Sequence, residues 1–172
     1  MSKPVYQFDD FLKKVDHEIK DFVSEVHTLL EQNQYKIKIE HKAAGFFLTY
    51  IDPMSKQKML NFLFLKKGLC VRLYGSHCNA YPDVLNGLPE VMLKRIDKAK
   101  DCIALVNPEG KCICNTKKNK KSAGYEFFLR GKYYQKCRTS CFYFHIDKSI
   151  TPFLLDLLKK EHEWRMRYDK DQ

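Results

Sequence analysis

Five of the seven cysteines fall within a stretch of forty residues, at Cys102, Cys112, Cys114, Cys137 and Cys141. Thiolates are preferred ligands of structural zinc, and a tetrahedral site must gather its ligands from turns or from neighbouring elements. The cysteines surround residues 107–124, a long segment that lacks hydrophobic periodicity and therefore needs another means of support. The clustering predicts a structural zinc site in the C-terminal half.

The spacing of the cysteines ranks them as ligands. If Cys137 and Cys141 both lie in extended chain, they are roughly 13 Å apart, too far to share one ion. We therefore assign the zinc to Cys102, Cys112, Cys114 and Cys137, a set that matches no standard zinc-finger spacing. The alternative is that these are reduced thiols that pack in the core, because cysteine is among the most readily buried residues.

A second pattern combines positive charge with aromatic rings. Four lysines crowd into residues 117–121, at Lys117, Lys118, Lys120 and Lys121. Further along, Tyr133 and Tyr134 are interleaved with basic residues, at Arg130, Lys132, Lys136 and Arg138. Bases interleaved with aromatics are typical of surfaces that bind nucleic acid. The alternative is a solvated loop beside tyrosines that pack within a sheet.

The composition supports an anionic partner without choosing one. Lysine and arginine number 31 against 21 acidic residues, which gives a formal net charge of +10. Such a charge attracts polyanions, either nucleic acid or an acidic protein.

Catalytic patterns are weaker. The six histidines lack metal-ligand helix spacing, and the seven glycines form no phosphate-binding loop. His77 and Cys78 are the best candidates for a nucleophile pair, although neighbours on a strand point to opposite faces. Cys70 and Cys78 are otherwise interpreted as packing or surface thiols. The sequence therefore favours a non-enzymatic protein and leaves a catalytic thiol as a third reading.

The pattern along the chain predicts an α+β fold. Apolar residues at helical spacing predict one helix over residues 8–30. Two-residue alternation predicts a strand at 35–40, and three more strand candidates, separated by turns, follow at 46–51, 58–65 and 69–74. Short connections make these strands an antiparallel meander. A helix is expected to start at Leu88-Pro89-Glu90 and to run towards Cys102. A hairpin is expected at 125–129 and 132–136, a strand at 141–146, and a final helix from Thr151.

Length and hydropathy bear on organisation and location. A chain of 172 residues suits one compact domain, with a helix–meander–helix part at 8–101 and a cysteine-rich loop, hairpin and helix at 102–172. No run of eighteen apolar residues exists, and Met1-Ser2-Lys3-Pro4 leads straight into a charged helical pattern. We therefore expect a cytoplasmic protein with no membrane span. The oligomeric state is not indicated.

Three segments carry a resemblance to a known family. An N-terminal amphipathic helix, strands containing Leu60–Phe64 and Val71–Tyr74, and a helix near Leu88-Pro89-Glu90 resemble the YdhG-like family of small α+β domains. The resemblance covers about residues 8–100, and the part from Cys102 onward looks like an addition found in some relatives. It implies an α+β fold and, through a role proposed for that family, frataxin-like iron handling.

Iron handling of that kind relies on exposed carboxylates. The first helix carries six acidic positions, at Asp9, Asp10, Asp16, Glu18, Asp21 and Glu25. Lysines at 13, 14 and 20 intersperse them. The first hypothesis is therefore a binding protein with a structural zinc and a basic surface, and the second is a small-ligand or iron-handling protein.

Overall fold

The computed structural model describes residues 4–107, 109, 112 and 124–168. Over these residues the chain forms a five-stranded sheet, a two-stranded sheet and helices at the N-terminus, middle and C-terminus. The predicted α+β fold class is confirmed.

The helices and strands have the following bounds. Two helices come first, α1 (Phe8–Leu12) and α2 (His17–Gln32). Four strands follow: β1 (Lys36–Lys42), β2 (Gly45–Ile51), β3 (Lys58–Leu65) and β4 (Gly68–Leu73). A 3-10 helix (Cys78–Ala80) precedes α3 (Pro82–Asn86), α4 (Glu90–Asp97) and α5 (Ile103–Val106). The last elements are β5 (Tyr125–Leu129), β6 (Lys132–Lys136), β7 (Tyr143–His145) and α6 (Thr151–Tyr168).

The described residues fall into two compact units. The described residues of the first lie within Met1–Leu73 and Phe144–Leu155, and those of the second lie within Tyr74–Tyr143 and Asp156–Gln172. The expectation of a single domain stays a prediction. None of the described helices combines the length and apolar composition needed to cross a membrane.

The first unit is built on the predicted meander. Strands β1 to β4 pair antiparallel in sequence order, and β7 adds to β4 to give the order β1-β2-β3-β4-β7. Strand β3 has the bounds expected from the sequence, residues 58–65. The Phe62 ring lies within 6.5 Å of the rings of Phe11, Phe22 and Tyr50. Helix α2 buries Ile19, Phe22, Val23, Val26 and Leu30, as its apolar spacing requires.

The prediction of a single N-terminal helix at 8–30 is wrong in one respect, because the helix is interrupted between α1 and α2. Asp16 begins the second helix, and its carboxylate accepts the backbone N–H of Glu18 at 2.9 Å. An aspartate in this position satisfies a backbone donor that a continuous helix would bond internally. The periodic apolar pattern continues across the break, so periodicity alone did not reveal it.

The second unit packs the β5–β6 hairpin with short helices. Three buried rings contact one another: the Phe142 ring centroid lies 5.3 Å from that of Tyr125 and 5.8 Å from that of Phe127. Helix α4 contributes three buried side chains, Met92, Leu93 and Ile96. The predicted hairpin is confirmed residue for residue. Helices α3 and α5 were not predicted, because five-residue and four-residue helices are too short to show a periodic pattern.

Candidate functional site

The β5–β6 hairpin is closed by a two-residue turn at Arg130 and Gly131. Both residues have positive φ, 49° and 78°, as in a type I′ turn. Leu129 pairs with Lys132 across the turn, and Phe128 pairs with Tyr133. The backbone N–H of Arg130 donates to Asn86 Oδ1 at 2.8 Å, so the turn is tied to the end of α3.

Alternation gives the hairpin one buried face and one exposed face. Phe127 and Tyr134 are buried, whereas the adjacent Phe128 and Tyr133 are 63% and 48% exposed. The rings of Phe128 and Tyr133 lie 5.2 Å apart. A directly opposed pair of exposed aromatic rings leaves apolar surface in contact with water. We call Phe128 and Tyr133 the aromatic pair.

The Tyr133 ring is held in place by polar neighbours. Its hydroxyl donates to Glu126 Oε1 at 2.7 Å, and the Gln135 amide donates to the same oxygen at 3.0 Å. These hydrogen bonds, that of Tyr133 first, lower the pKa of Glu126. The carboxylate is therefore ionised at neutral pH. It lies at the end of β5 that is distant from the turn.

Two of the predicted cations lie at the turn end of the hairpin. Arg130 forms an ion pair with Glu90, and the Lys132 ammonium lies 2.8 Å from Asp97 Oδ1. Both cations are more than half exposed. Exposed ion pairs contribute little to stability, so either cation can change partner for a phosphate at small cost.

Lys136, also predicted as an anion-binding residue, is buried. Its ammonium donates to the carbonyls of Asp97 and Ala99 at 2.9 and 2.8 Å and to Asp101 Oδ1 at 2.9 Å. An ammonium has three N–H donors, and these three acceptors use them all. Lys136 therefore fixes the chain that leaves α4 instead of presenting its charge to solvent.

Arg138 is half-buried and stacks over aromatic rings. Its guanidinium lies 5.7 Å from the Tyr74 ring centroid and 6.0 Å from that of Tyr125, and it donates to Ser76 Oγ at 3.4 Å. The four predicted lysines of the loop lie outside the described residues, at Lys117, Lys118, Lys120 and Lys121.

Beside β6 lies a recess of about 410 Å³, which we call the hairpin recess. Tyr133 and Gln135 line it together with the carboxylates of Asp97 and Asp101. Tyr133, one member of the aromatic pair, is among the residues that line this recess.

Two of the four predicted zinc ligands come from neighbouring segments. The Cys102 N–H donates to the Gln135 carbonyl, and the Cys137 N–H donates to the Lys100 carbonyl, each at 2.8 Å. Cys102 is buried, and its sulfur accepts the N–H of Gly124 at 3.2 Å. Cys112 is half-buried.

The fourth predicted ligand, Cys114, lies outside the described residues. Among the residues that are described, no three His, Cys, Asp or Glu side chains converge as a metal site. The zinc site therefore stays a prediction.

Cys137 was separated from Cys141 on the premise that both lie in extended chain. That premise is wrong, because the chain between them is a turn. The N–H groups of Ser140 and Cys141 both donate to the Cys137 carbonyl, at 3.1 and 3.0 Å. Cys141 is fully buried, and burial raises the pKa of its thiol well above the ordinary value. For half-buried Cys137, burial acts to raise the pKa, but hydrogen bonds from Thr139 and Ser140 outweigh it and the pKa is lowered.

The second unit also contains a buried ion pair on α6. Glu161 and Arg165 are 0% and 2% exposed, and Arg165 Nε donates to Glu161 Oε1 at 2.8 Å. Glu161 also accepts the Tyr81 hydroxyl at 2.6 Å and the backbone N–H of His77 at 3.0 Å. Burial acts to raise the pKa of Glu161, but the bonds from His77, Arg165 and Tyr81 outweigh it and the pKa is lowered.

The same carboxylate fixes the His77–Cys78 pair. His77 Nδ1 lies 3.3 Å from Glu161 Oε1, and Cys78 begins the 3-10 helix with 3% of its surface exposed. Burial raises the pKa of the Cys78 thiol far above the ordinary value. A nucleophilic cysteine needs a lowered pKa and access to substrate, and Cys78 has neither property.

The acidic positions considered for iron lie on α1, on α2 and at the α2 cap. Asp9, Asp16, Glu18, Asp21 and Glu25 are exposed and Asp10 is half-buried. Lys13 pairs with Asp10. No group of three potential ligands forms among the described part of these helices.

Phe128 of the aromatic pair and the buried ion pair were not identified from the sequence, although each has a signal there. Phe127-Phe128 and Tyr133-Tyr134 are adjacent repeats, and in a strand one member of each repeat must face away from the core. In α6 the buried stripe begun by Leu154, Leu157 and Leu158 continues at three-residue and four-residue steps through Glu161 and Arg165.

Comparison with protein-family models, with curated proteins and with solved structures gave no match. The resemblance to the YdhG-like family therefore stays a prediction.

Proposed function

We propose that this protein is a non-enzymatic binding protein whose β5–β6 hairpin holds single-stranded nucleic acid. The observation that carries the proposal is the aromatic pair, in which two large rings lie side by side on an exposed face. Successive unpaired bases stack on such rings without regard to sequence, because every base has a π-face.

Two exposed cations near the aromatic pair, each in an exposed ion pair, can exchange their carboxylate partner for a phosphate. Arg130 and Lys132 lie at the turn end of the hairpin, next to Leu129 and Tyr133 in the chain. In the sequence, four lysines precede β5, and the whole chain has a formal net charge of +10. A strand whose bases stack on the aromatic pair can direct its phosphates toward the turn, away from the Glu126 carboxylate.

Two features favour a single strand over a duplex. Bases in a duplex already stack on one another, so exposed rings on a β-ribbon gain little from them. The hairpin also lacks the row of unengaged cations that backbone recognition of a duplex needs, since Lys136 is buried and Arg138 stacks on protein rings.

The test is fluorescence anisotropy of labelled oligonucleotides with the full chain, repeated over a range of salt concentrations. We expect a single strand to bind more tightly than a duplex of the same length. Affinity for the single strand should fall with salt by about 0.7 log units per log unit of salt for each phosphate contacted. Equal binding of duplex and single strand would contradict the proposed stacking.

The lysine loop is tested by a matched pair of charge variants. Replacing these lysines, Lys117, Lys118, Lys120 and Lys121, with glutamine should reduce the slope of log affinity against log salt concentration. The reduction is up to about 3, at about 0.7 per lost phosphate contact. The control replaces four exposed lysines of the first unit, Lys13, Lys14, Lys36 and Lys66. If both variants change the slope equally, net charge alone is responsible and the loop has no specific role.

An acidic protein partner is distinguished by competition. Polyglutamate presents negative charge without bases, so it should displace the oligonucleotide far less well than an unlabelled single strand does. Equal displacement by polyglutamate would show that the surface recognises charge alone.

We also propose that a structural zinc, held by Cys102, Cys112, Cys114 and Cys137, supports the chain that leads into the hairpin. In support, backbone hydrogen bonds align residues 100–102 with 135–137, so two of the cysteines come from neighbouring segments. Mass spectrometry of protein purified without an affinity tag should find one zinc per chain. Chelator should then release about four thiols, as a site with four cysteine ligands requires. Metal-free protein with freely titrating thiols would exclude the zinc.

A further inference from the structure

Strand β1 lies at one edge of the five-stranded sheet, with β2 as its neighbour. It runs over seven residues and contains no proline. The β1–β2 pairing ends in a two-residue turn, because Lys42 lies opposite Gly45. The pair that closes such a turn is hydrogen bonded, and hydrogen-bonded pairs alternate along an antiparallel ladder. Lys36, Lys38 and Glu40 therefore also direct their backbone groups to β2.

The β3–β4 pairing shows that this rule holds in the sheet. Leu65 lies opposite Gly68 across a two-residue turn, so the rule directs the backbone of Leu69 away from β3. The Leu69 carbonyl accepts the N–H of Ile146, just beyond β7, at 2.9 Å. On β1, the residues that direct their backbone groups away from the neighbouring strand are Ile37, Ile39 and His41.

These three residues, Ile37, Ile39 and His41, form what we call the β1 edge. Each directs one N–H and one C=O outward in the plane of the sheet, and no other described segment pairs with them. A row of unpaired backbone groups on an extended strand is a template for a further strand. Peptides bind to sheet edges in this way, with backbone hydrogen bonds supplying affinity and alternate side chains supplying specificity.

One face of β1 is apolar and incompletely covered. Ile37 and Ile39 lie opposite Tyr50 and Leu48 of β2. This is the side of the sheet on which α2 packs, since His27 of α2 lies 2.9 Å from the Tyr50 hydroxyl. Tyr50 and Leu48 are fully buried, but the two isoleucines are only half-buried. Apolar side chains at alternate positions of an added strand would cover them.

The other face of β1 is positively charged. Lys38 and Lys42 lie 3.0 and 3.3 Å from the Glu40 carboxylate, and both are more than half exposed. Lys36, which is also exposed, forms no ion pair within the described part of the chain. Three lysines against one glutamate leave this face with a net charge of +2. An added strand that carries carboxylates at its alternate positions is therefore favoured.

The same charges disfavour a second copy of this chain. Antiparallel pairing of β1 with another β1 would place two faces of like net charge side by side. Lysines on edge strands commonly prevent self-association in this way. A repulsive element that excludes one partner, together with an attraction for another, is how specificity arises.

We propose that the β1 edge binds an extended acidic segment of a partner protein, which adds antiparallel to β1 as a sixth strand of the sheet. Carboxylates of the segment lie beside Lys36, Lys38 and Lys42, and its apolar residues, at the alternate positions, cover Ile37 and Ile39. The inference does not rest on the proposed function, since β1 belongs to the first unit and the β5–β6 hairpin to the second.

The test is hydrogen-exchange NMR of the full chain with a peptide of alternating glutamate and valine, about eight residues long to span β1. In the free protein, the amides of Ile37, Ile39 and His41 should exchange fast, and those of Lys38 and Glu40 should be protected. With the peptide at about ten times its dissociation constant, the three outward amides should exchange about tenfold more slowly. Absence of binding, or binding without this protection, would overturn the proposal.

Two N-methylated peptides form a matched pair that leaves the protein unchanged. In the proposed pairing the valines lie opposite the β1 edge and direct their N–H groups to it, whereas the glutamate N–H groups point away. Methylation of the valine nitrogens should therefore weaken binding at least about tenfold. Methylation of the glutamate nitrogens should weaken it far less, because those groups face solvent. Equal losses for the two peptides would refute the pairing.

The charge of the partner is tested with a peptide of alternating lysine and valine, which should bind at least about tenfold more weakly. Lys36→Glu should weaken the glutamate peptide about threefold, and the control Lys94→Glu, exposed on α4, should leave its affinity unchanged. Equal binding of the lysine peptide would overturn the acidic partner. Protection of the β1 edge by a single-stranded oligonucleotide, or by raising the protein concentration alone, would assign the edge to nucleic acid or to a second copy instead.

Discussion

Replacing Arg165 with methionine should destabilise the protein by about 3–5 kcal/mol, the effect of removing one partner of a buried ion pair. The change leaves the Glu161 carboxylate, which is 0% exposed, without its cationic partner. It also removes donors from the Tyr74 carbonyl at 2.7 Å and from Ser76 Oγ at 3.3 Å. The loss is a large fraction of the roughly 5–15 kcal/mol by which domains are stable.

Urea unfolding followed by circular dichroism measures the effect. Arg167→Met is the control, because Arg167 is exposed on the same helix and should change the free energy of unfolding by less than about 0.5 kcal/mol. Adding Glu161→Gln to Arg165→Met removes the stranded charge and keeps an acceptor for Tyr81. This double variant should be more stable than Arg165→Met alone. Equal losses at Arg165 and Arg167 would refute the importance of the buried pair.

The pH dependence of the same variants gives an independent check. The pKa of Glu161 is lowered in the folded protein, so its contribution to stability is present above the unfolded pKa, about 4.3, and is lost as pH falls through the lower folded value. In Arg165→Met the buried carboxylate has lost its cation, and protonation relieves it. The stability difference between wild type and variant should therefore narrow in acid.

Removing the aromatic pair should reduce single-strand affinity about tenfold for each ring, and by more than that for the double variant Phe128→Ala/Tyr133→Ala, because each base loses its stacking partner. The salt slope should stay constant, since no phosphate contact is removed. Oligonucleotide anisotropy at several salt concentrations measures both quantities.

Two further variants separate stacking from other causes. Tyr133→Phe keeps the ring and should bind nearly as well as wild type. Phe153→Ala removes an exposed ring from α6, outside the hairpin, and should leave affinity unchanged. A steep loss in Phe153→Ala, or none in the double variant, would argue that the aromatic pair is not the binding surface.

The sequence predicts the sheets well because their patterns are local. Alternation locates β1, short turns delimit β2 to β4, and the Arg130-Gly131 turn locates the hairpin. The break at Asp16 was missed because a helix cap needs only one polar residue, which the apolar periodicity tolerates. The role of Lys136 could not be foreseen either, since its three acceptors are presented by the chain that leaves α4, more than thirty residues away.

The candidate site was only partly predictable. The interleaving of bases and aromatics points to the hairpin, but burial decides which of them solvent can reach. Tyr133 and Tyr134 are identical in type and adjacent, yet they face opposite sides. The neutralisation of Arg130 and Lys132 depends on Glu90 and Asp97, and no spacing rule relates these pairs.

The turn between Cys137 and Cys141 places an accessible thiol close in sequence to an enclosed one, so the pair can report local opening. Its first thiol is half-buried and has a lowered pKa, whereas its last is fully enclosed. In metal-free protein, an alkylating reagent can reach the first thiol in the native state, whereas it reaches the second only after local opening. The ratio of the two labelling rates therefore reports how often the second unit opens, and no residue has to be introduced as a probe.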